Sequence, residues 1–352
     1  MREKTVMGLK INMGVRTKMG ILFLTALLTL LFGVGIGSVY VPPADILAIV
    51  SARFFGQSLP DHISASYSIM VLDMRLPRVL LAFLTGAALA VCGAVMQSLL
   101  QNPLASPFGL GVSSGAGLGA ALVIVLGLAV AGHGTFLLPA VSLCFALGTV
   151  FFVLLLAAKL DRRMSNVTVI LVGMVVSLFC NAVMSLLATS SPAHAQRIQL
   201  WQLGSFSMRE WSAVWALFPV TVLACLYFLR YAGDLDVMTF GEEQASAMGV
   251  DLRRVRGRLM TAVAVLTGVA VAFVGIIGFV DLIVPHIARR FFGAVHRRTI
   301  PACALLGGTF LVLCDLAART LTPPHEIPIG SITALLGAPF FLYLFFAGRK
   351  DS

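Results

Sequence analysis

Between Val79 and Ala158 the chain runs for 80 residues without one Asp, Glu, Lys or Arg. A helix crossing about 30 Å of hydrocarbon needs roughly 20 apolar residues, so this stretch holds three crossings and their turns. The turns are legible at Asn102-Pro103 through Pro107 and at Gly132-His133-Gly134 through Pro139. Pro removes a backbone donor and Gly loosens the chain, so each cluster ends a helix. The rest is built the same way. Of 352 residues 59% are apolar and only 11% charged, with a mean hydropathy of +0.98, where a soluble domain carries about 25% charge. A soluble globule, a disordered tail and a DNA-binding module are excluded, and the chain reads as an integral membrane protein.

Counting runs of spanning length gives about ten helices. Met19–Val41 is the first, and Val79–Ala158 holds the second to fourth. Ser165–Ala188, Trp211–Leu229 and Leu259–Ile276 are the fifth to seventh, a short Phe279–Phe292 the eighth, Pro301–Arg319 the ninth and Ile327–Ala347 the tenth. A cleavable leader fits the first run less well, because no small-residue cleavage site precedes Pro42-Pro43. With the N-terminus inside, 19 of the 25 Lys and Arg fall on inner segments; the six outer ones are Arg53, Arg75, Arg78, Arg197, Arg209 and Arg319. The positive-inside rule therefore predicts both termini in the cytoplasm. The net charge of +10 reflects topology, which leaves nucleic acid without a role as partner.

An offset of 182 aligns Thr85-Gly86 with Thr267-Gly268, Gly93 with Gly275, Pro103 with Pro285 and Gly111 with Gly293. This relates the second and seventh helices, which run in opposite directions, as a candidate inverted repeat of the kind found in transporters. Shared small-residue packing composition accounts for the same matches.

Motifs for chemistry are missing. The sequence contains no G-x-x-x-x-G-K-[ST] phosphate loop and no H-E-x-x-H, and its six cysteines lie in apolar runs without C-x-x-C spacing. They read as packing residues, with neither disulfide, metal site nor cofactor. The acids inside the proposed spans are Asp281 and Asp315; on separate helices they make a poor catalytic pair and too few groups for ion coupling.

Three constellations remain. Arg75-Leu-Pro-Arg78 opens the second helix on the outer side, against the positive-inside bias and at a helix N-terminus, where the dipole disfavours a cation. It reads as a basic patch for an acidic partner, or as anchors snorkelling to lipid phosphate. Arg319 joins it, or forms an i,i+4 pair with Asp315. In the inner loop Tyr231–Arg258, Thr239–Gly249 reads as a two-turn helix. Glu242 and Glu243 complement its dipole, Gly249 stops it and Asp251 caps the next helix. Phe240, Ala245, Met248 and Val250 give it an apolar side that seats on its own bundle or on a cytosolic subunit. Asn102–Gly117 is an irregular small-residue segment between spans, which survives at membrane depth only when buried or lining a wet path.

From Arg75 to Ala347 these residues resemble the iron-chelate and cobalamin (FecCD-type) permeases of bacterial ABC importers. The segments are RLPRVLLAFLTGAALAVCGAVMQSLLQNPLASPFGLGVSSGAGLGA (75–120), WQLGS (201–205), GEEQASAMGV (241–250), GIIGFVDLIVPHIARRFFGAVHRR (275–298) and EIPIGSITALLGAPFFLYLF (326–345). Asp281 departs from the glycine usual there, which puts a close helix approach in doubt or marks a polar contact.

The resemblance implies an all-α, single-domain permease of the type II importer fold in the bacterial inner membrane. Its implied partners are a second permease copy or homologue, two cytosolic ATP-binding subunits and an extracytoplasmic binding protein. Arg75, Arg78 and Arg319 match positions that face acidic residues of the binding protein. Gly241, Glu242, Glu243, Ala245, Met248 and Gly249 match a coupling helix seated on the ATPase. Asn102 and Leu104 match the inner mouth of the path, with Asn166 and Val167 opposite, where small hydroxyl residues are more usual. The expected cargo is a metal chelate, foremost a ferric siderophore, with haem and cobalamin as alternatives. Among other classes stand an ion-coupled secondary transporter and a membrane enzyme.

Overall fold

A computed structural model describes residues 14–348 apart from 38, 57, 58, 61, 129–135, 162–164, 208, 209 and 324. Arg209, one of the six outer cations, and the second turn cluster at Gly132–Gly134 lie outside the described residues. The elements in chain order are α1 (Val15–Gly35), α2 (Pro43–Phe55), α3 (Ala65–Ile69), a π-turn (Met70–Arg75), α4 (Leu76–Leu99), a 3-10 turn (Pro107–Leu110) and α5 (Val112–Val125). They continue with α6 (Leu137–Leu160), α7 (Asn166–Ser190), α8 (Pro192–Gln202), α9 (Trp211–Arg230), α10 (Ala232–Met238) and α11 (Glu242–Ala247). Last come α12 (Leu252–Val274), α13 (Val280–Phe292), α14 (His296–Thr320) and α15 (Ile329–Gly348). No strand occurs among the described residues.

Seven helical segments are long and apolar enough to cross a membrane, and α5 and α15 contribute shorter apolar helices. With the 13-residue α13 they account for the ten expected segments. α5 has 14 residues and rises about 21 Å at 1.5 Å per residue, well short of a full crossing. The 3-10 turn and the loop before it make up the difference, with Ala105, Pro107 and Leu110 buried. Irregular backbone at that depth requires such burial.

α4 is the axis of the bundle. Its C-terminal two-thirds are buried, and α9, α12, α13 and α14 pack around it. Glycine makes the closest approaches. A Cβ on Gly86 would enter the Gly307 carbonyl of α14, and one on Gly93 would enter the Asp281 carbonyl of α13. Helices in lipid associate by such packing, since hydrocarbon offers no hydrophobic drive between them. The close approach that Asp281 put in doubt is therefore made, because backbone rather than side chain faces Gly93.

Boundaries differ from expectation where proline was taken as a stop. α14 begins at His296, not Pro301, because Gly293 (φ +87°) makes the break and Thr299 Oγ1 donates to the carbonyls of Gly293 and Val295 at 3.0 and 3.1 Å. α1 ends at Gly35 rather than Val41, and Pro43 starts α2 at a position where proline's missing donor costs nothing. Of the repeat-related pairs, Gly111 and Gly293 both adopt positive φ, +82° and +87°. The correspondence ends at Gly93 and Gly275: α4 continues to Leu99, whereas α12 stops at Val274.

Candidate functional site

At one end of the bundle the three arginines are drawn inward instead of standing as a free basic patch. Arg75 closes the π-turn and is 8% exposed. Its guanidinium donates to the carbonyls of Val34 (3.1 Å), Gly35 (3.2 Å) and Val39 (2.7 Å). It stands at the start of its own helix but caps the end of α1, where unpaired carbonyls and the dipole favour a cation. Arg78 donates to two carboxylates, the buried Asp315 and the more exposed Glu326: Nη2 to Asp315 Oδ1 at 2.8 Å and Nη1 to Glu326 Oε1 at 2.7 Å. Arg319 pairs with Asp315 at 3.5 Å, the expected i,i+4 contact, and also donates to the Gly33 carbonyl. Two guanidiniums thus meet two carboxylates, and the cluster is internally neutralised. Ser207 donates to Glu326 Oε2. Burial raises the Glu326 pKa, but the hydrogen bonds from Arg78 and Ser207 outweigh it and hold the carboxyl below the usual glutamate range.

Glu326 was not among the expected site residues, nor was Ser207. Their only sequence signals are neighbourhood, EIPIG and WQLGS. Around them the backbone is stitched: Ser205 N donates to Val274 O at 2.8 Å and Gly330 N to Leu203 O at 2.9 Å. One carboxylate therefore holds α4, the segment after α8 and the start of α15 together.

At the other end α11 forms as expected, one turn shorter than Thr239–Gly249. Gly241 and Gly249 bracket it at φ +118° and +87°, and Asp251 accepts from Arg254 N at 3.1 Å to cap α12. Of its apolar side, Ala245 is fully buried, whereas Phe240 (73%) and Met248 (66%) are exposed. Glu242 reaches the buried Arg256 at 2.6 Å and so ties the knob to α12, and Glu243 remains free to act on the helix dipole. The knob is thus anchored at one side and bare at the other.

The loop after α4 lies against the start of α7. Asn166 Nδ2 donates to Leu100 O at 2.9 Å, and Asn102 Oδ1 accepts from Leu104 N at 2.9 Å. Leu104 (48%) and Val167 (66%) are exposed beside them. Of the four expected path residues, Asn166 is thus tied to the loop that carries Asn102 and Leu104. Asp281 is the polar contact that its departure from glycine marked: Ser106 of the same loop donates to it, and Gln97 Nε2 donates to its carbonyl at 3.2 Å.

No group of three or more His, Cys, Asp or Glu that could hold a metal occurs among the described residues. Cys92, Cys180, Cys303 and Cys314 are buried free thiols, in keeping with packing; Cys144 is exposed on the bundle surface.

The sequence and the fold are similar to those of known proteins. The FecCD transport family model matches residues 24–347. The ABC transporter permease protein YvrB of Bacillus subtilis is 41% identical over 313 residues, 89% of this chain and 88% of that protein. The vitamin B12 import system permease protein BtuC of Yersinia pseudotuberculosis is 37% identical over 81% of this chain and 84% of its own length. The Fe(3+)-citrate import system permease protein YfmE of B. subtilis is 35% identical over 96% and 97%. An inward-facing structure of a metal-chelate type ABC transporter superposes with a TM-score of 0.82 at 31% identity, covering 94% of this chain and 99% of that one. A second structure, PsaBC from Streptococcus pneumoniae, shares the fold at a TM-score of 0.54 and 18% identity. A family model matched over residues 24–347, relatives similar over most of their length and a superposable all-helical bundle place this chain in the FecCD transport family of ABC importer permeases.

Proposed function

We propose that the chain passes a pre-formed metal chelate, a ferric siderophore foremost, inward across the bacterial inner membrane while ATP is hydrolysed on two separate cytosolic subunits. The observation that carries this reading is the bare side of α11: Phe240 and Met248 stand exposed on an element otherwise pinned through Ala245 and Glu242. Exposed apolar groups on a short, anchored helix are a seat for a partner. The α11 end is then cytoplasmic, as are both termini. Leu104 and Val167, beside Asn102 and Asn166, form the inner mouth of the path, shared with a second permease copy or homologue. The binding protein docks at the opposite end over Arg75, Arg78 and Arg319, of which Arg78, joined to the partly exposed Glu326, stands nearest the surface. A cargo that arrives already chelated needs no metal ligands in the chain.

Relatives that import vitamin B12 and Fe(3+)-citrate support cobalamin and ferric citrate as the second reading. The test is reconstitution in proteoliposomes with the two ATP-binding subunits and the binding protein. Ferric siderophore uptake is expected only with ATP and all partners. Uptake driven by a proton or sodium gradient in vesicles holding this chain alone would overturn the proposal.

A further inference from the structure

Ser98 on α4, His296 at the start of α14 and Asp236 on α10 form one hydrogen-bonded chain. His296 Nδ1 lies 2.6 Å from Asp236 Oδ1, which also accepts from the His296 backbone N–H at 2.9 Å. His296 Nε2 lies 2.7 Å from Ser98 Oγ. The order is that of a hydrolytic triad. Burial excludes that use: Ser98 is 7% and His296 3% exposed, so no ester or amide can reach the hydroxyl. The chemistry is still well specified. With the imidazole neutral and Nδ1–H toward Asp236, Ser98 gives its one proton to Nε2. With imidazolium, Ser98 accepts from Nε2 and donates to the Ala94 carbonyl at 3.1 Å. Either way every link is made, and a satisfied network with Ser98 and His296 buried is rigid.

What the chain joins gives it a use. Asp236 lies one turn before the α11 knob, and Ser98 lies one residue from the end of α4, where the chain enters the Leu100–Leu104 loop. Gln101 Nε2 donates to the Met238 carbonyl at 2.8 Å, a second link between the same two elements. Leu100 O in turn holds Asn166 at the start of α7. Hydrogen bonds thus link α10, directly and through His296, to the end of α4 and on to Asn166 at the start of α7.

We propose that Asp236, His296 and Ser98 are positioning residues that transmit movement of the ATPase-facing knob to the inner mouth of the path. The proposal rests on the reading of α11 as the ATPase seat. Its test uses the complete complex in proteoliposomes, with ferric citrate, a ferric hydroxamate and cyanocobalamin as probes, reading chelate imported per ATP hydrolysed. Ser98→Ala and His296→Phe, the second filling the ring volume without hydrogen bonds, should retain the ATPase and hydrolyse ATP at the unsubstituted rate. Their import per ATP should fall about tenfold, a typical coupling loss. Asp236→Asn keeps the accepting oxygen and should stay within about twofold of the unsubstituted chain. Unchanged import per ATP in both variants, or loss of the ATPase from the complex, overturns the proposal while the function stands. Should His296→Phe not accumulate, Ser98→Ala decides, since it removes a single hydroxyl. Failure of the unsubstituted chain to recruit any ATPase overturns the functional reading, and this inference with it.

Discussion

Arg75 shows how a residue can oppose one rule and satisfy another. Its backbone opens α4, yet its guanidinium saturates the carbonyls at the end of α1. Lysine, a point charge without the planar fork, cannot serve three acceptors in that arrangement. Arg75→Lys should cost about 1–3 kcal/mol, seen as a lowered Tm in detergent. Gly93→Ala should cost about as much or more, because a new Cβ overlaps the Asp281 carbonyl; Gly148→Ala, with open space at the site, should be neutral or stabilising by up to about 1 kcal/mol. Glu326 supplies a pH signature. Its carboxyl is held below the ordinary glutamate value of about 4.3. A depressed folded pKa stabilises fully above the unfolded value, and that stability drains away as pH falls through the folded one. The Tm of the unsubstituted chain should therefore drop with acidification below that range, and Glu326→Gln should flatten the slope. Much of this end was hidden in the sequence. The Arg319–Asp315 pair is four residues apart and could be read, whereas Arg78 meets Asp315 across 237 positions. No periodicity carries that distance, so the pairing of Arg78 was not legible, nor was the hold of Arg75 on the carbonyls of α1 and the residues after it.

At the scale of elements, what was legible was local. α11 and its continuation into α12 were visible because acids at an N-terminus, a glycine stop and an aspartate cap are short-range signals. α2 and α8 were not, because a helix opened by Pro43 or Pro192 reads as a break when proline is taken only as a terminator. The same bias shortened α14. For α11 two substitutions separate its own fold from its partner. Met248→Asp and Phe240→Asp lie on exposed ground and should change the stability of the isolated chain by less than about 0.5 kcal/mol while abolishing co-purification of the ATPase. Gly241→Ala should act inversely. Its φ of +118° lies in a region nearly closed to other residues, at a cost of about 1–3 kcal/mol, so the knob itself should loosen, seen as faster hydrogen exchange in residues 239–250.

Across the whole molecule, the ten-segment plan was recoverable from hydropathy because a bilayer imposes one length on every crossing. The shortened α5 was not, since its missing part is supplied by a folded loop. The expected topology has a direct check. In a background with Cys144→Ala, a cysteine at Met248 should react with a membrane-impermeant thiol reagent only from the cytoplasmic side, and one at Ser207 only from outside. The reverse pattern would invert the assignment of both ends. The surface of α7 carries an exposed apolar face of Leu171, Met174, Val175, Leu178 and Phe179, as a bilayer-embedded bundle requires.

The end of α1 also sets an order of assembly. The carbonyls of residues 33–35 leave the ribosome first, whereas the last guanidinium they hold, that of Arg319, follows 286 residues later. Until then the Gly33 carbonyl lacks that donor, whereas Val34 and Gly35 wait only 41 and 40 residues for Arg75. Closure of this end of the bundle therefore reaches back from α14 to α1.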